Sequence, residues 1–389
     1  MIGDLLRGQQ GHCLISNGTD HHRVLHVKLD YLDHNLNLIK KKSNTAEIIL
    51  MVKANAYGHG LVPITHFAFH ENNIKHFGVA SLNEALVIRK ELPSLPIEIF
   101  LFSDFDLTSK SLENVLDQRL TPVVSQMENL DVFLSSKKCQ HIPLCLKFNT
   151  GMNRLGFHKN ELEQIIIKLK KANRREIHHL FSHFSSSQIE LSQNLGMQKQ
   201  IDLFQEIKKI FTQEGFSIHH SSIANSGAIE QEIISTENFV RPGLVAYGPQ
   251  SFRHQEKNDH FKIVSSLEGR VLQRFHLKKG ETFGYNDTVC EEDSEVIIIN
   301  LGYADGIFPF FIDSPISIEN EVGHIRGRVN MDMTFVAFKK LSPKIQKNSL
   351  IKIWDHTQDS FSQFLNGKCI PYLLLTGLNQ PRIKKIYHQ

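Results

Sequence analysis

The stretch AEIILMVKANAYGHG, residues 46–60, joins a strand-like apolar run to a lysine and then to a turn that contains two glycines. An ammonium group prefers water, so Lys53 at the end of this run needs an explanation. Many lysines end strands simply to reach solvent while their stems cover apolar surface. Alternatively, a lysine in a partly apolar pocket has a lowered pKa and becomes a nucleophile. These residues alone leave both interpretations open.

Seven further strand-like runs follow this one, and amphipathic stretches such as SLNEALVIRKEL and KNELEQIIIKLKKANRR lie between the runs. The runs are KHFGVAS, IEIFLFS, LTPVVS, IPLCLKFN, EIHHLFSHF, IHHSSIANS and FVRPGLVAYG. About eight β-then-α units in a row are what a (β/α)8 barrel requires. A doubly wound open sheet is the alternative. We predict an α/β fold, a TIM-like (β/α)8 barrel followed by a C-terminal, mostly β domain.

The pattern changes near residue 260, where short β-like runs separated by turn residues replace the alternating units. We therefore expect three parts. These are a polar leader at residues 1–22, the (β/α)8 barrel with a preceding strand at residues 23–259, and the C-terminal β domain at residues 260–389.

Composition limits the classes of function. A chain of 389 residues favours two domains, and a net charge of +3 gives no argument for a nucleic-acid partner. The five cysteines are scattered without a CxxC pair, which favours reduced thiols in the cytoplasm. No apolar run is long enough to cross a bilayer, and no metal site is predicted.

Polar residues whose side chains could take part in catalysis or binding stand at the ends of several predicted strands. Lys53 closes the first run, Lys147 the fifth, His183 the sixth, and Asn225 with Ser226 the seventh. Active sites of such barrels lie at the C-terminal ends of the strands, so these side chains are expected to surround one mouth. A single histidine among 22 is more often a surface or core residue, but agreement across four strand ends favours a site.

Eight motifs resemble those of the alanine racemase family, in order along most of the chain. MVKANAYGHG resembles the lysine motif that binds pyridoxal phosphate in that family. The matches continue through LKFNTGMNRLGFH, FSHFSSS, IANSGA and VRPGLVAYG, and then through GETFGYNDT, LGYADG and GRVNMDM. The resemblance covers roughly residues 24 to 387.

The resemblance implies an enzyme that interconverts L-alanine and D-alanine with pyridoxal 5'-phosphate, to supply D-alanine for peptidoglycan. Lys53 would bind the cofactor aldehyde and act as one base, and Tyr285 would act as the base on the opposite face of the substrate carbon. A free phenol loses its proton only near pH 10, so a tyrosine base needs help from its neighbours. A homodimer with shared active sites is implied, in which Met331 and Tyr303 contact the amino-acid substrate.

The resemblance also assigns residues to the cofactor. Arg154 would lie near the phenolic oxygen and the substrate carboxylate, and Lys147 beside it is a candidate for carbamylation. Arg241 would face the pyridine nitrogen, and because an arginine remains a hydrogen-bond donor it favours racemisation over transamination. The remaining residues implied for cofactor binding are Tyr57, His183, Asn225, Ser226, Gly243, Leu244 and Tyr372.

The sequence departs from the family pattern in places. Asn149 stands where an aspartate is usual, Asn286 where glycine is common, and Asn330 where cysteine or serine is frequent. A broader racemase acting on serine, a barrel-type decarboxylase of basic amino acids and a non-catalytic pyridoxal phosphate-binding homeostasis protein are the alternatives. The decarboxylase lacks support because no glycine-rich phosphate loop appears, and the homeostasis proteins usually lack a second β domain.

Overall fold

The computed structural model of the chain describes residues 22–107, 109–234, 237–251 and 261–389. Apart from residue 22, the predicted polar leader lies outside the described residues. The domain boundaries given above stay a prediction.

The first sheet consists of eight parallel strands. Its order is β8-β7-β6-β5-β4-β3-β2-β9, and β9 also lies against β8, so the sheet nearly closes into a barrel. This confirms the predicted barrel. The strands are β2 (Glu47–Met51), β3 (His76–Ser81), β4 (Glu98–Asp104), β5 (Thr121–Val124), β6 (Cys145–Lys147), β7 (Glu176–Phe181), β8 (Ser217–Ser222) and β9 (Phe239–Val240).

Helices connect the barrel strands and cover their outer face. Their apolar residues recur at helical spacing, as in the buried set Leu162, Ile165, Ile166 and Leu169. In the described residues no helix is both long and apolar enough to span a bilayer. The helices are Leu29–Lys42, Leu61–Asn72, Leu82–Glu91, Ser109–Asp117, Met127–Ser135, Leu162–Lys171, Leu195–Gln213 and Ser226–Glu230.

The second sheet belongs mainly to the C-terminal part of the chain. Its order is β14-β15-β16-β13-β10-β1-β18, with β17 also paired to β10, and β11 and β12 form a separate hairpin. Strand β1 precedes the barrel in sequence, yet it pairs antiparallel with β10 and parallel with β18. The strands are β1 (Arg23–Lys28), β10 (Ser265–Leu277), β11 (Thr282–Phe283), β12 (Thr288–Val289), β13 (Ser294–Ile299), β14 (Pro315–Ile318), β15 (Glu321–Arg326), β16 (Thr334–Phe338), β17 (Leu350–Trp354) and β18 (Lys384–His388). Helices Gln358–Leu365 and Pro371–Gly377 lie between β17 and β18.

Apolar side chains fill the barrel interior, and a histidine lies among them. His179 is fully buried, its ring stacks on Phe181 with centroids 3.9 Å apart, and neither ring nitrogen has a hydrogen-bond partner in the described structure. Burial lowers the pKa of His179 well below its usual range, and the charges of Arg241, His220, His178 and His76 lower it further. The barrel therefore folds with this imidazole neutral.

We expect His179 to make the protein less stable in mild acid. An unfolded histidine takes up a proton near pH 6.5, whereas His179 in the folded state does not. Its depressed pKa therefore destabilises the fold as pH falls below about 6.5, by up to about 1.4 kcal/mol per pH unit. Urea unfolding of His179→Leu between about pH 7 and 5.5 should show a shallower loss of stability than the wild type. The same replacement at the exposed His141 provides the comparison variant. Equal slopes for His179→Leu and the wild type would contradict the expectation.

Candidate active site at the barrel mouth

The structure places the predicted strand-end residues together at one mouth of the barrel. Lys53 lies two residues beyond β2, Lys147 ends β6, and His183 lies two residues beyond β7. Asn225 and Ser226 begin the helix after β8, and Arg241 directly follows β9. Because the strands are parallel, their C-terminal ends lie at the same end of the barrel.

Lys53 begins a short left-handed turn. The four residues after it, Ala54 to Tyr57, have φ between 51° and 54° although none is glycine. Each such residue costs of order 1 kcal/mol, so neighbouring contacts must hold the turn. The Asn55 side chain accepts from the Leu61 amide at 2.6 Å and donates to Asn379 at 2.6 Å. The turn is thus attached to the C-terminal part of the same chain.

Glycine is required where this turn meets the C-terminal helix. Gly58 has φ of 83°, and a Cβ at this position would lie 2.2 Å from the Leu375 carbonyl oxygen. Further along, the Tyr387 hydroxyl donates to the His59 carbonyl at 2.8 Å. A Cβ at Gly60 would lie 2.1 Å from the same Tyr387 hydroxyl, so close contacts give a physical reason for both glycines of the lysine motif.

The surroundings of Lys53 favour a neutral amine. Burial is the largest cause that lowers its pKa, and the charges of Arg154 and Arg241 lower it as well. The carboxylate of Glu84 acts in the opposite direction. The lysine is therefore held in the partly apolar, cation-rich pocket that the nucleophile interpretation requires.

Arg241 is held rigidly at the base of the mouth. Its guanidinium donates to the Ser222 hydroxyl and to the Ser182 carbonyl, and Nη2 lies 3.2 Å from Nδ1 of His183. Burial lowers the pKa of Arg241 to about 9, Glu237 opposes this effect and Arg154 adds to it. Arg241 remains cationic near neutral pH.

His183 is neutral in this arrangement. Arg241 only donates and is the nearer partner, so we assign the His183 proton to Nε2, which lies 3.5 Å from Nδ2 of Asn225. Burial lowers the pKa of His183 well below its usual range, and the neighbouring cations, with Arg241 first, lower it further. His183 therefore presents an uncharged ring to the mouth.

Ser226, Gly243 and Tyr57 form a group of hydrogen-bonding atoms. The Ser226 hydroxyl accepts from the amides of Gly243 and Val245 at 3.1 and 3.3 Å, so its remaining capacity is to donate. A Cβ at position 243 would lie 2.2 Å from the Tyr57 hydroxyl, so this close approach requires glycine. Leu244 continues the same buried backbone. Asn225 caps the helix by accepting from the Ala228 amide at 3.4 Å.

Tyr57 is one of three neighbouring tyrosines. Its ring stacks on Tyr247 with centroids 4.9 Å apart and lies 5.9 Å from the ring of Tyr372. Tyr247 in turn donates to the Met51 carbonyl at 3.0 Å, which connects the group to the end of β2.

Lys147, Asn149 and Arg154 line a pocket together with His183. Burial lowers the pKa of Lys147 to about 7, and the charges of Arg241, Arg154 and Lys53 contribute to the shift. Asn149 organises the loop toward Arg154, because its side-chain oxygen accepts from the Gly151 and Asn153 amides at 3.1 and 2.9 Å.

Three predicted residues of the second domain, Tyr285, Tyr303 and Met331, have exposed side chains. Tyr285 is 66% exposed and Met331 58% exposed, and in the described part of the chain no hydrogen bond joins Tyr285 to Lys53. Tyr303 and Met331 do lie near each other, because the Tyr303 amide donates to the Asn330 carbonyl and the Ala304 amide to the Met331 carbonyl, both at 2.9 Å. Asn286 has φ of 66°, which explains why this position suits glycine or asparagine.

Sequence reasoning missed Glu84, Tyr247 and the serines that hold Arg241. Ser81 and Glu84 form a capping box, whose S-x-x-E spacing is visible in the sequence. That signal predicts a helix start and says nothing about Lys53. Ser182 and Ser222 could not be identified from the sequence, because nothing distinguishes them there from other small polar residues at strand ends.

Family models and curated proteins resemble the chain over nearly its whole length. The model for the alanine racemase N-terminal domain matches residues 27–251, and the model for the alanine racemase C-terminal domain matches residues 264–387. An alanine racemase of Borreliella burgdorferi is 33% identical over 374 residues, which cover 93% of this chain and 96% of that protein. An alanine racemase of Helicobacter acinonychis is 27% identical over 93% of this chain and 97% of its own length.

Solved structures share the fold. The alanine racemase of a D-cycloserine producing Streptomyces lavendulae superposes with a TM-score of 0.85 at 20% identity, over 96% of this chain and 98% of the other. The alanine racemase of Bartonella henselae with covalently bound pyridoxal phosphate gives a TM-score of 0.82 at 24% identity, over 95% of this chain and all of the other.

Proposed function

The chain belongs to the alanine racemase family, and from that premise we propose that it interconverts L-alanine and D-alanine with Lys53 and Tyr285 as its two bases. The observation that carries the proposal is the pocket around Lys53. Burial and two arginines favour its neutral amine, and only a neutral amine attacks an aldehyde or removes a proton.

The donor groups at the mouth fit pyridoxal 5'-phosphate. The Ser226 hydroxyl, the backbone of Gly243 and Leu244, and the hydroxyls of Tyr57 and Tyr372 would hold the phosphate. The fit rests on Gly243, because a side chain there would collide with Tyr57 and close the space. When bound, this cofactor supplies an electron sink that allows an attached amino acid to release its α-proton.

The residues around the cofactor ring would direct the chemistry. Lys53 would hold the cofactor covalently through its Nζ atom, and the same atom, when free, would hold or accept a proton. His183 would pack against the ring, with Asn225 next to it. Arg241 stays cationic and gives up no proton near neutral pH, which favours return of the proton to the substrate carbon over transfer to the cofactor.

A second base must act from the opposite face, because racemisation needs proton access to both faces of a planar carbon. Tyr285 would supply it through its hydroxyl oxygen. Its exposed position and its distance in sequence from the barrel support delivery to a partner chain, so we assign a homodimer with shared sites. Met331 and Tyr303 would contact the substrate from the same side.

A cation would bind the substrate carboxylate and keep it oriented. Arg154 would make this contact, with Lys147 beside it. Because the pKa of Lys147 is lowered to about 7, a large part of its amine is neutral near physiological pH, which is the form that reacts with carbon dioxide to give a carbamate. The role in peptidoglycan precursor supply and the cytoplasmic location are parts of the same proposal. The four cysteines in the described residues are free thiols, in keeping with a reducing compartment.

Kinetics with a panel of enantiopure amino acids test the function. We expect alanine to be racemised in both directions, with a kcat/KM at least about tenfold above that of serine or larger side chains. Chiral chromatography of each product provides the measurement. A higher kcat/KM for serine than for alanine would identify serine as the preferred substrate. If protein that retains its cofactor racemises none of the amino acids, the proposal is refuted.

A further inference from the structure

Glu84 places a carboxylate at the start of the turn that carries Lys53. Its Oε1 accepts from the Ala54 amide at 2.6 Å, and its Oε2 accepts from the Ala80 and Ser81 amides at 2.8 and 3.2 Å. One side chain therefore ties the residue after Lys53 to the C-terminal end of β3. Charged acceptors make roughly twice as strong hydrogen bonds to amides as neutral ones do.

Of the three amides that Glu84 binds, only that of Ala54 belongs to a residue with positive φ. Ala54 is the first of the four residues with positive φ, so the strained backbone begins at the atom that Glu84 holds. The next residue, Asn55, is held by the hydrogen bonds of its own side chain to Leu61 and Asn379. Glu84 therefore fixes the backbone of Ala54, and the Asn55 side chain fixes the residue that follows.

Among the described residues, Glu84 is also the one carboxylate of the three charges that act most strongly on Lys53. The other two are Arg154 and Arg241, and both are cations. The half-buried position of Glu84 leaves its charge only partly screened by water. Glu84 therefore raises the pKa of the Lys53 amine, whereas Arg154 and Arg241 lower it.

We propose that Glu84 is a positioning residue for Lys53, whose carboxylate fixes the first residue of the left-handed turn and supplies a negative charge to the surroundings of the lysine amine. The inference rests on the proposed function for its meaning in catalysis. It assigns to Glu84 a role beyond the capping of helix Leu82–Glu91, and the two roles can be separated by experiment.

Competitive acylation of the ligand-free, full-length chain tests the proposal. Trace reagent labels neutral amines, so the pH dependence of Lys53 labelling, measured by mass spectrometry, reports its protonation without any cofactor. In Glu84→Gln we expect the midpoint to move to lower pH, with about a threefold faster labelling at a fixed pH below the midpoint. Glu84→Asp, which keeps the charge but shortens its reach, should give an intermediate midpoint.

Ser81→Ala is the matched control. It removes the other half of the capping box, in which the Ser81 hydroxyl accepts from the Glu84 amide at 3.3 Å, and leaves the carboxylate in place. This variant should lose stability while its Lys53 midpoint stays at the wild-type value. An unchanged midpoint in Glu84→Gln, or equal shifts in Glu84→Gln and Ser81→Ala, would overturn the proposal.

If circular dichroism shows that Glu84→Gln does not fold, the labelling midpoint of Lys53 in Glu84→Asp is the test instead. A midpoint equal to the wild-type value in Glu84→Asp would overturn the proposal. These outcomes are independent of racemisation. A failure of the proposed function would appear as missing activity in the wild type, whereas a failure here would appear as an unmoved midpoint in the variants.

Discussion

Replacement of Lys53 by alanine is expected to lower racemisation at least about a thousandfold and to abolish the covalent bond between protein and cofactor. The physical reason is the place of Lys53 just after β2, where burial and two arginines lower the pKa of its amine. The measurement is reduction with borohydride followed by mass spectrometry. Wild-type protein should give a cofactor-modified peptide that contains residue 53, and the variant should give none.

Lys75 supplies a matched control for this experiment. It is exposed and lies just before β3, at the opposite end of the barrel from Lys53. Lys75→Ala should retain both the modified peptide and the activity. A reducible cofactor adduct that persists in Lys53→Ala would assign the covalent role to another lysine.

Mixing two inactive variants, Lys53→Ala and Tyr285→Phe, is expected to restore about a quarter of wild-type activity after joint unfolding and reassembly. Tyr285 is 66% exposed and has no hydrogen bond to Lys53 in the described part of its own chain. If each site takes Lys53 from one chain and Tyr285 from its partner, a heterodimer contains one site with both lesions and one intact site. Random pairing makes half of the dimers heterodimers, so a quarter of all sites are intact.

The control is a mixture of Lys53→Ala with the Lys53→Ala, Tyr285→Phe double variant, in which no site is intact and no activity should return. Mass spectrometry under native conditions measures the fraction of heterodimers. If Tyr285 served its own chain, every site in the mixture would keep one lesion. A mixture that contains heterodimers and shows no recovery would therefore exclude shared sites.

The architecture could be predicted from the sequence because buried strands require apolar residues, and these residues are visible as runs in the sequence. Each of the eight apolar runs became a barrel strand, and the polar residue at the end of a run became a residue at the mouth, as Lys53 and His183 illustrate. Parallel strands share a direction, so a strand-end position in the sequence translates into a common end of the barrel.

Features that depend on three-dimensional contact were beyond the sequence. Ala54 and Ala56 carry no sign of positive φ, because alanine ordinarily avoids that region and is held there by neighbours distant in sequence. Asn379, which binds Asn55, lies more than 300 residues away along the chain. Likewise, a serine such as Ser222 becomes meaningful only when the fold places it against Arg241.

The pairing of β1 with β18 has a consequence for biosynthesis. Strand Arg23–Lys28 leaves the ribosome early, whereas its parallel neighbour Lys384–His388 follows more than 350 residues later. At about 5–20 residues per second this interval is roughly 20 to 70 seconds. The barrel strands are complete before either neighbour of β1 is made, and after β10 has been synthesised one edge of β1 still has no partner. Unpaired strand edges are sites of aggregation, so the nascent chain is expected to need chaperone protection at residues 23–28 until synthesis reaches β18.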